Sequence, residues 1–450
     1  MTRDSPLTLS RTLGLFPATN LVVANMIGAG IFTTSGLLMA ELGSPRLMIL
    51  LWVGGGILAL CGALCYGALG AAMPSAGGEY VYLSEQFHPV FGFLTGWVSF
   101  FVGFSAPLAA SSLGFSEYLT RAFPDLVSWG DPDLLKRGIS ALVIAGLTSV
   151  HLRGIEFGSR VQNVLTVGKV LLIAGFVVLG FSLGNGSLGN LSSASSYEFD
   201  GQGWKTAALA LMWITFAYTG WNASVYIGSE IKDPKRNLPL SLIVGTGAVT
   251  LLYIGLNLLF VFAVPAEDMS GVIAIGGLAA SRLFGGSVET VITTLIAFAL
   301  LSSISAIIIL GPRVYYAMAK DGYFFKAVAH IHPIFRVPSK AIILQAFIAI
   351  VLVTSGTFDQ ILTYMGFCLG IFPILAVMGV FKLRVGLGYR LAAVAFAGVS
   401  LLILVLAYFE RPIESSIAVL TVALGVPFYI AFSRSRLSDA IPLEGTGDQP

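Results

Sequence analysis

Charge is what this chain has least of. Only 11% of its 450 residues are acidic or basic, where a soluble domain carries roughly 25%. Hydrophobic residues make up 56% and the mean hydropathy is +0.87. A soluble domain or a large extramembrane body is therefore excluded, and an integral membrane protein is expected. A net charge of +2 gives no footing for a nucleic-acid partner. Cysteine is scarce too: Cys61, Cys65 and Cys368 all lie in apolar segments, so neither a disulfide framework nor a metal-binding cysteine pair can be built. Cys61 and Cys65, one helical turn apart, read as small buried residues. The four histidines (His88, His151, His330 and His332) fall in inner loops or at an inner span end. No His/Cys/Asp constellation suggests a metal, a cofactor or a nucleophile, so an enzyme is a poor fit. All 23 acidic residues fall in loops, tails or span ends, which predicts no carboxylate at mid-membrane depth.

What is abundant is long apolar sequence. A helical span needs about 20 apolar residues. Twelve segments qualify: 13–40, 46–72, 90–119, 133–151, 160–182, 205–229, 240–264, 287–312, 340–356, 359–381, 389–409 and 413–433. The first is too long for the apolar region of a cleavable signal and is read as a span. With the N-terminus inside, 17 Lys and Arg face the cytoplasm and 7 face outward, with Lys169 in neither set. That bias places both termini in the cytoplasm of a multi-pass protein of the cell membrane. Residues 1–12 and 434–450 read as cytoplasmic tails, and Gly184–Ser196 as a flexible outer loop. The short loops leave no room for a second globular domain.

The first span is interrupted. Ile27, Gly28, Ala29, Gly30 and Ile31 lie in its middle, and two glycines this close weaken a helix. Backbone groups freed at that depth have no water to bond, so a break persists only where something polar uses it. Span six carries a second weak point at Phe216, Ala217, Tyr218, Thr219 and Gly220. Spans one and six run in opposite directions, and each opens a five-span half. That is the pattern of an inverted-repeat secondary transporter with its site at the interrupted helices. The core is then 13–382, with repeats at 13–182 and 205–381 and two further spans at 388–433. Amides near Ala29, Gly30 and Ile31 can donate to a carboxylate, helped by the helix dipole. Carbonyls near Ile27, Phe216 and Ala217 can accept from an ammonium. With no mid-membrane acid, a zwitterionic, electrically neutral amino acid is the expected substrate. The competing reading of each glycine pair is a close helix–helix contact.

Lys169 lies about 13 Å from Arg160 along span five, at 1.5 Å per residue, too far for its stem to reach the surface. A buried ionisable group in a span implies function. It either bridges the break in span one to span eight in place of a sodium ion, or takes up and releases a proton. Ser302, Ser303 and Ser305 of span eight are its candidate hydroxyl partners.

Several stretches resemble one family: GAGIF at 28–32, PSAGGEYVYLSEQFHPVFGFLTGW at 74–97, VQNVLTVGK at 161–169, FAYTGWN at 216–222, SEIKDPKRNLPLSL at 229–242 and PRVYYAMAKDGYFF at 312–325. The chain resembles, over nearly its whole length, the amino acid–polyamine–organocation superfamily near its L-type amino acid transporter branch. The resemblance implies an all-α membrane protein of twelve helices with the LeuT-type 5+5 inverted repeat and two added C-terminal helices. It implies that Gly28–Gly30 binds the substrate carboxylate, that Phe216–Gly220 holds the amine with Phe216 as outer gate, and that Lys169 stands in for sodium. Three departures follow. Ala29 occupies a position where relatives often have serine, and Thr219 one where they often have glycine. The loop Arg121–Arg137 has no cysteine to link a heavy chain, so no disulfide-linked partner is expected. The expected function is sodium-independent transport of neutral L-amino acids, by exchange or proton-coupled import. The alternatives are a cationic amino acid or polyamine carrier, or a membrane amino-acid sensor. A sensor should carry a signalling domain or a long structured tail.

Overall fold

Apolar segments without water must satisfy their own backbone, and helices do this within one segment. The computed structural model describes residue 9 and residues 11–129, 131–192, 197–272, 274–355 and 358–440. Helices account for nearly all of it. In chain order they are α1 (Leu15–Met26), α2 (Ala29–Leu42), α3 (Pro45–Ala72), α4 (Glu79–Gln86), α5 (Pro89–Val98), α6 (Ala106–Ala122), α7 (Pro132–His151), α8 (Ile155–Leu183) and α9 (Gly201–Ala217). There follow α10 (Pro234–Ala263), α11 (Ala266–Met269), α12 (Ile275–Phe284), α13 (Gly286–Lys320), α14 (Ser339–Ser355), α15 (Phe358–Met378), α16 (Leu387–Glu410) and α17 (Pro412–Ala440). Among the described residues β-pairing is confined to two isolated bridges, Leu13 with Ile231 and Ala76 with Ile227.

Eight helical stretches are long and apolar enough to cross a membrane. Four of the twelve expected spans do not reach that standard alone, each for a local reason. α7 carries Asp133, Lys136 and Arg137 in its first two turns. α9 stops after 17 residues at the second break. α14 is short, and the apolar part of α15 is shorter than its full length.

Local chemistry sets the helix ends. α2 stops at Gly43, whose φ of 58° is left-handed and whose N–H reaches the Met39 carbonyl. Ser44 then caps α3 ahead of Pro45 at its first position. Asp200 caps α9 through the Gly203 amide at 2.6 Å.

Packing then decides which faces turn inward. The inner stripe of α8 is Gln162, Thr166, Lys169, Ile173, Phe176 and Gly180, spaced for one helical face. Val164, Leu171 and Val178 point outward and are exposed. A polar inside and an apolar outside suit lipid, not water. α8 packs against α1, α10 and α13, and α2 packs against α9, which brings the two interrupted segments together. Between α5 and α6 the chain widens into a π-helical turn at Ser99–Ser105, and the Ser105 hydroxyl bonds the Phe100 carbonyl at 2.7 Å.

Candidate functional site

The break in the first span is real and narrow. α1 ends at Met26, Ile27 and Gly28 leave the helical region, and α2 resumes at Ala29. No side chain caps α2, so its first amides are free of side-chain partners. A Cβ built on Gly28 meets nothing within 4 Å, so there is open space beside it. Gly30 behaves differently: a Cβ there would stand 2.9 Å from the Ala217 Cβ and 3.0 Å from its Cα. Gly30 thus serves the close approach of the two breaks. Ala29 faces α6, where a Cβ added to Gly114 would lie 3.6 Å from its own. Ile27 and Ile31 are fully buried.

Lys169 reaches the break from α8. Its Nζ donates to the carbonyls of Ile27 at 2.5 Å and Ala24 at 3.2 Å, and to Ser303 Oγ at 2.8 Å. An ammonium has three donors, and here each has an acceptor. Ser303 also donates to the Ile27 carbonyl at 2.5 Å. Of the three serines expected to partner the lysine, only Ser303 does so. The Ser302 hydroxyl lies within hydrogen-bond distance of Gln162 Nε2 and Thr166 Oγ1. The Ser305 hydroxyl lies 2.7 Å from His151 Nε2. The reason is angular: successive residues on a helix turn by 100°, so the three hydroxyls face different neighbours.

The second break follows α9. Gly220 has φ +106°, and a Cβ on it would press within 2.5 Å of the Asn25 side chain, so glycine is required by conformation and by space. Beyond it the chain runs as 3₁₀ turns, Ala223–Tyr226 and Gly228–Glu230, rather than as a regular helix. Tyr253 of α10 joins the two breaks. Its hydroxyl lies 2.6 Å from the Met26 carbonyl and 3.0 Å from the Ala217 carbonyl. Its ring sits with Trp52 and Tyr218 in one aromatic cluster. Several carbonyls expected to take a substrate ammonium therefore already have internal donors: Lys169 at Ile27, Tyr253 at Ala217, and the Thr219 amide at Phe216. A carbonyl has two lone pairs, so a second donor still fits. Tyr253→Phe is expected to lower stability by about 1 kcal/mol, the worth of a typical hydrogen bond. An unchanged unfolding midpoint in detergent would show that the ring only fills space.

A cavity of about 120 Å³ opens beside the second break. Phe216, Tyr218, Thr219 and Gly220 line it, with Asn25 from the first span. Ile27, Gly28, Ala29, Gly30, Ile31 and Ala217 do not. Opposite walls come from the π-helical turn, from Cys368 to Pro373 of α15, and from Phe396 to Leu404 of α16. Its polar end holds Glu79, Thr95, Asn222 and Tyr226.

Glu79 overturns the expectation that no buried acid is available. It is 6% exposed. Its Oε1 accepts from Asn222 Nδ2 at 2.8 Å and Tyr226 OH at 3.3 Å, and its Oε2 accepts from Thr95 Oγ1 at 3.2 Å. Burial pushes its carboxyl up from the ordinary carboxylate range, and the hydroxyl and amide groups of Tyr66, Thr95, Tyr226 and Asn222 pull it part of the way back. Sequence placed Glu79 in a loop. The loop folds inward because Gly77 and Gly78 both take positive φ and turn the chain under the helices. Two adjacent glycines before an acid and an aromatic run were the available signal.

Glu230 is a second buried acid, fully enclosed and paired with Arg313 of α13 at 2.9 Å and 3.2 Å. The backbone carbonyl of Glu230 accepts the amides of Thr12 and Leu13, each at 3.0 Å. The end of the second break, the start of the first span and α13 thus meet at one point.

The amino acid permease family matches residues 13–431. The serine/threonine exchanger SteT of Bacillus subtilis is 30% identical over 382 residues, covering 84% of each chain. The b(0,+)-type amino acid transporter 1 of Mus musculus is 29% identical over 384 residues, 84% of this chain and 76% of that one. The large neutral amino acids transporter small subunit 2 of Homo sapiens is 27% identical over 378 residues, 84% of this chain and 70% of that one. The family match spans both interrupted helices and the lysine between them, and the chain belongs to the amino acid permease family of the amino acid–polyamine–organocation superfamily.

Proposed function

We propose that this protein is a sodium-independent secondary transporter of neutral L-amino acids, working by alternating access. The observation that carries the proposal is Lys169. A fixed ammonium holds the break carbonyls of Ala24 and Ile27 and the Ser303 hydroxyl, the place where a bound cation would otherwise be needed. In this reading twelve helices form the LeuT-type 5+5 repeat with two added helices, and both termini face the cytoplasm of the cell membrane. The substrate carboxylate meets the open side of Gly28 and the amides of Ala29–Ile31. The ammonium meets the carbonyls of the second break, and Phe216, which lines the cavity, closes the outer side. The chain acts without a disulfide-linked heavy chain; Cys61, Cys65 and Cys368 lie within α3 and α15, away from the loop after α6.

Glu79 favours one competing reading, a carrier of cationic amino acids or polyamines. Three neutral donors, however, already take three of its roughly four acceptor positions, leaving one on Oε2, so Glu79 is occupied mainly by the protein's own groups. The test is uptake into proteoliposomes with labelled L-serine, L-threonine, L-leucine and L-arginine, in sodium and in choline buffers. Uptake of the neutral probes within about twofold in the two buffers supports the proposal. A sodium requirement, or transport of arginine alone, overturns it.

A further inference from the structure

Two buried ionisable groups flank the breaks, and they differ in what they can do. Lys169 has every ammonium donor engaged and does not line the cavity. Glu79 lines the cavity, is almost fully buried, and among the described residues pairs with no Lys, Arg or His; the other buried acid, Glu230, has Arg313. An uncompensated carboxylate in a buried site is costly unless it is used.

We propose that Glu79 is the proton-carrying residue of the transport cycle, a role that rests on the transport reading above. The proton arrives from water in the cavity, adds to a carboxylate oxygen to give the neutral acid, and leaves to water when the site opens to the other side. The hydrogen-bond geometry says which oxygen takes it. Oε1 accepts from both Asn222, whose amide nitrogen can only donate, and Tyr226, so a proton there would compete with two donors already in place. Oε2 accepts from the Thr95 hydroxyl, which can turn from donor to acceptor. Protonation at Oε2 therefore leaves Asn222 and Tyr226 in place. Both belong to the irregular stretch after the second break, so Glu79 is bonded to the segment that borders the cavity, and its charge sets the strength of those bonds.

The neighbours of Glu79 allow such a change. The titratable groups that face it are the phenols of Tyr66 from α3, Tyr82 from α4 and Tyr226. α5 contributes Thr95, and α15 contributes Cys368 to the same cavity. Of the charged groups around α4, Asp321 accepts from Tyr80 at 2.7 Å, Lys382 bonds the Gln86 carbonyl, and Glu85 and Lys320 line a separate pocket with Asp321. Among the described residues, no Lys, Arg or His forms an ion pair with Glu79.

The experiment uses the reconstituted full chain and labelled L-serine and L-leucine. It compares counterflow, which needs no net proton movement, with uptake driven by an acid-outside pH gradient, while a trapped pH dye follows protons. Wild type should show gradient-driven uptake with proton entry. In Glu79→Gln, which keeps an acceptor for Asn222 and Tyr226 but cannot titrate, the ratio of gradient-driven uptake to counterflow should fall at least about fivefold. Glu79→Asp should restore most of that ratio, with a displaced pH profile. An undiminished ratio in Glu79→Gln overturns the inference. So does wild-type counterflow without any response to the gradient, a result obtained without a variant. Absence of counterflow for every amino acid tried would instead overturn the transport reading, and the inference with it.

Discussion

Lys169→Ala is expected to cut transport at least about tenfold, which corresponds to about 1.4 kcal/mol. The substitution strips the donor from the Ala24 and Ile27 carbonyls and leaves a space where the ammonium stood. A buried acceptor left unpaired costs about 1–3 kcal/mol. That cost falls on the geometry of the break, because Ser303 is then the remaining side chain bonded to Ile27. Lys169→Arg should not rescue it: a planar guanidinium does not fit a site shaped for a compact ammonium. Transport rate in proteoliposomes is the measurement, with size-exclusion profiles to confirm folding. A wild-type rate in Lys169→Ala would remove the main support for sodium independence.

The second large effect concerns the buried pair Glu230–Arg313. Glu230→Gln leaves a guanidinium enclosed without its counter-charge, and breaking such a pair costs about 3–5 kcal/mol. The unfolding midpoint in detergent should drop sharply. Adding Arg313→Met should recover part of the loss, since no buried charge is then left unpaired. The backbone contacts of residue 230 with Thr12 and Leu13 survive these changes, so a double-mutant cycle that includes Arg313→Met alone isolates the ion pair. A single variant as stable as wild type would show that the pair is dispensable.

These features were unequally legible in the sequence. The break at Gly28 was readable because two glycines interrupt an apolar run, and that signal is local. The second break was weaker locally, and its position relative to the first gave it weight. Lys169 stood out as a charge in an apolar stretch. Gly30 was read as a ligand contact, and the structure makes it a packing contact against Ala217, which depends on a partner helix far away in sequence. Glu79 was missed for a related reason. Its burial comes from a reversal at Gly77–Gly78 and from donors on α5 and the stretch after Gly220, and periodicity carries no trace of that meeting. His151 likewise looked like a span-end residue, but it is buried and lies beside Ser305. Tyr253 carried no signal at all, since one tyrosine in an apolar helix is unremarkable.

Tyr253 nonetheless sets a limit on how the two broken helices can behave. A phenol has a single hydrogen, and two carbonyls, one from each break, lie within its reach. When that hydrogen points fully at Met26, Ala217 loses the phenol as donor; when it points at Ala217, Met26 keeps only the Gly28 amide at 2.9 Å. The two breaks thus compete for one bond, and strengthening one loosens the other. A ligand that supplies a donor to Ala217 would free the hydroxyl for Met26, so that occupancy at the second break tightens the first. Contention for one hydrogen would couple two halves of the protein that have no covalent link nearby.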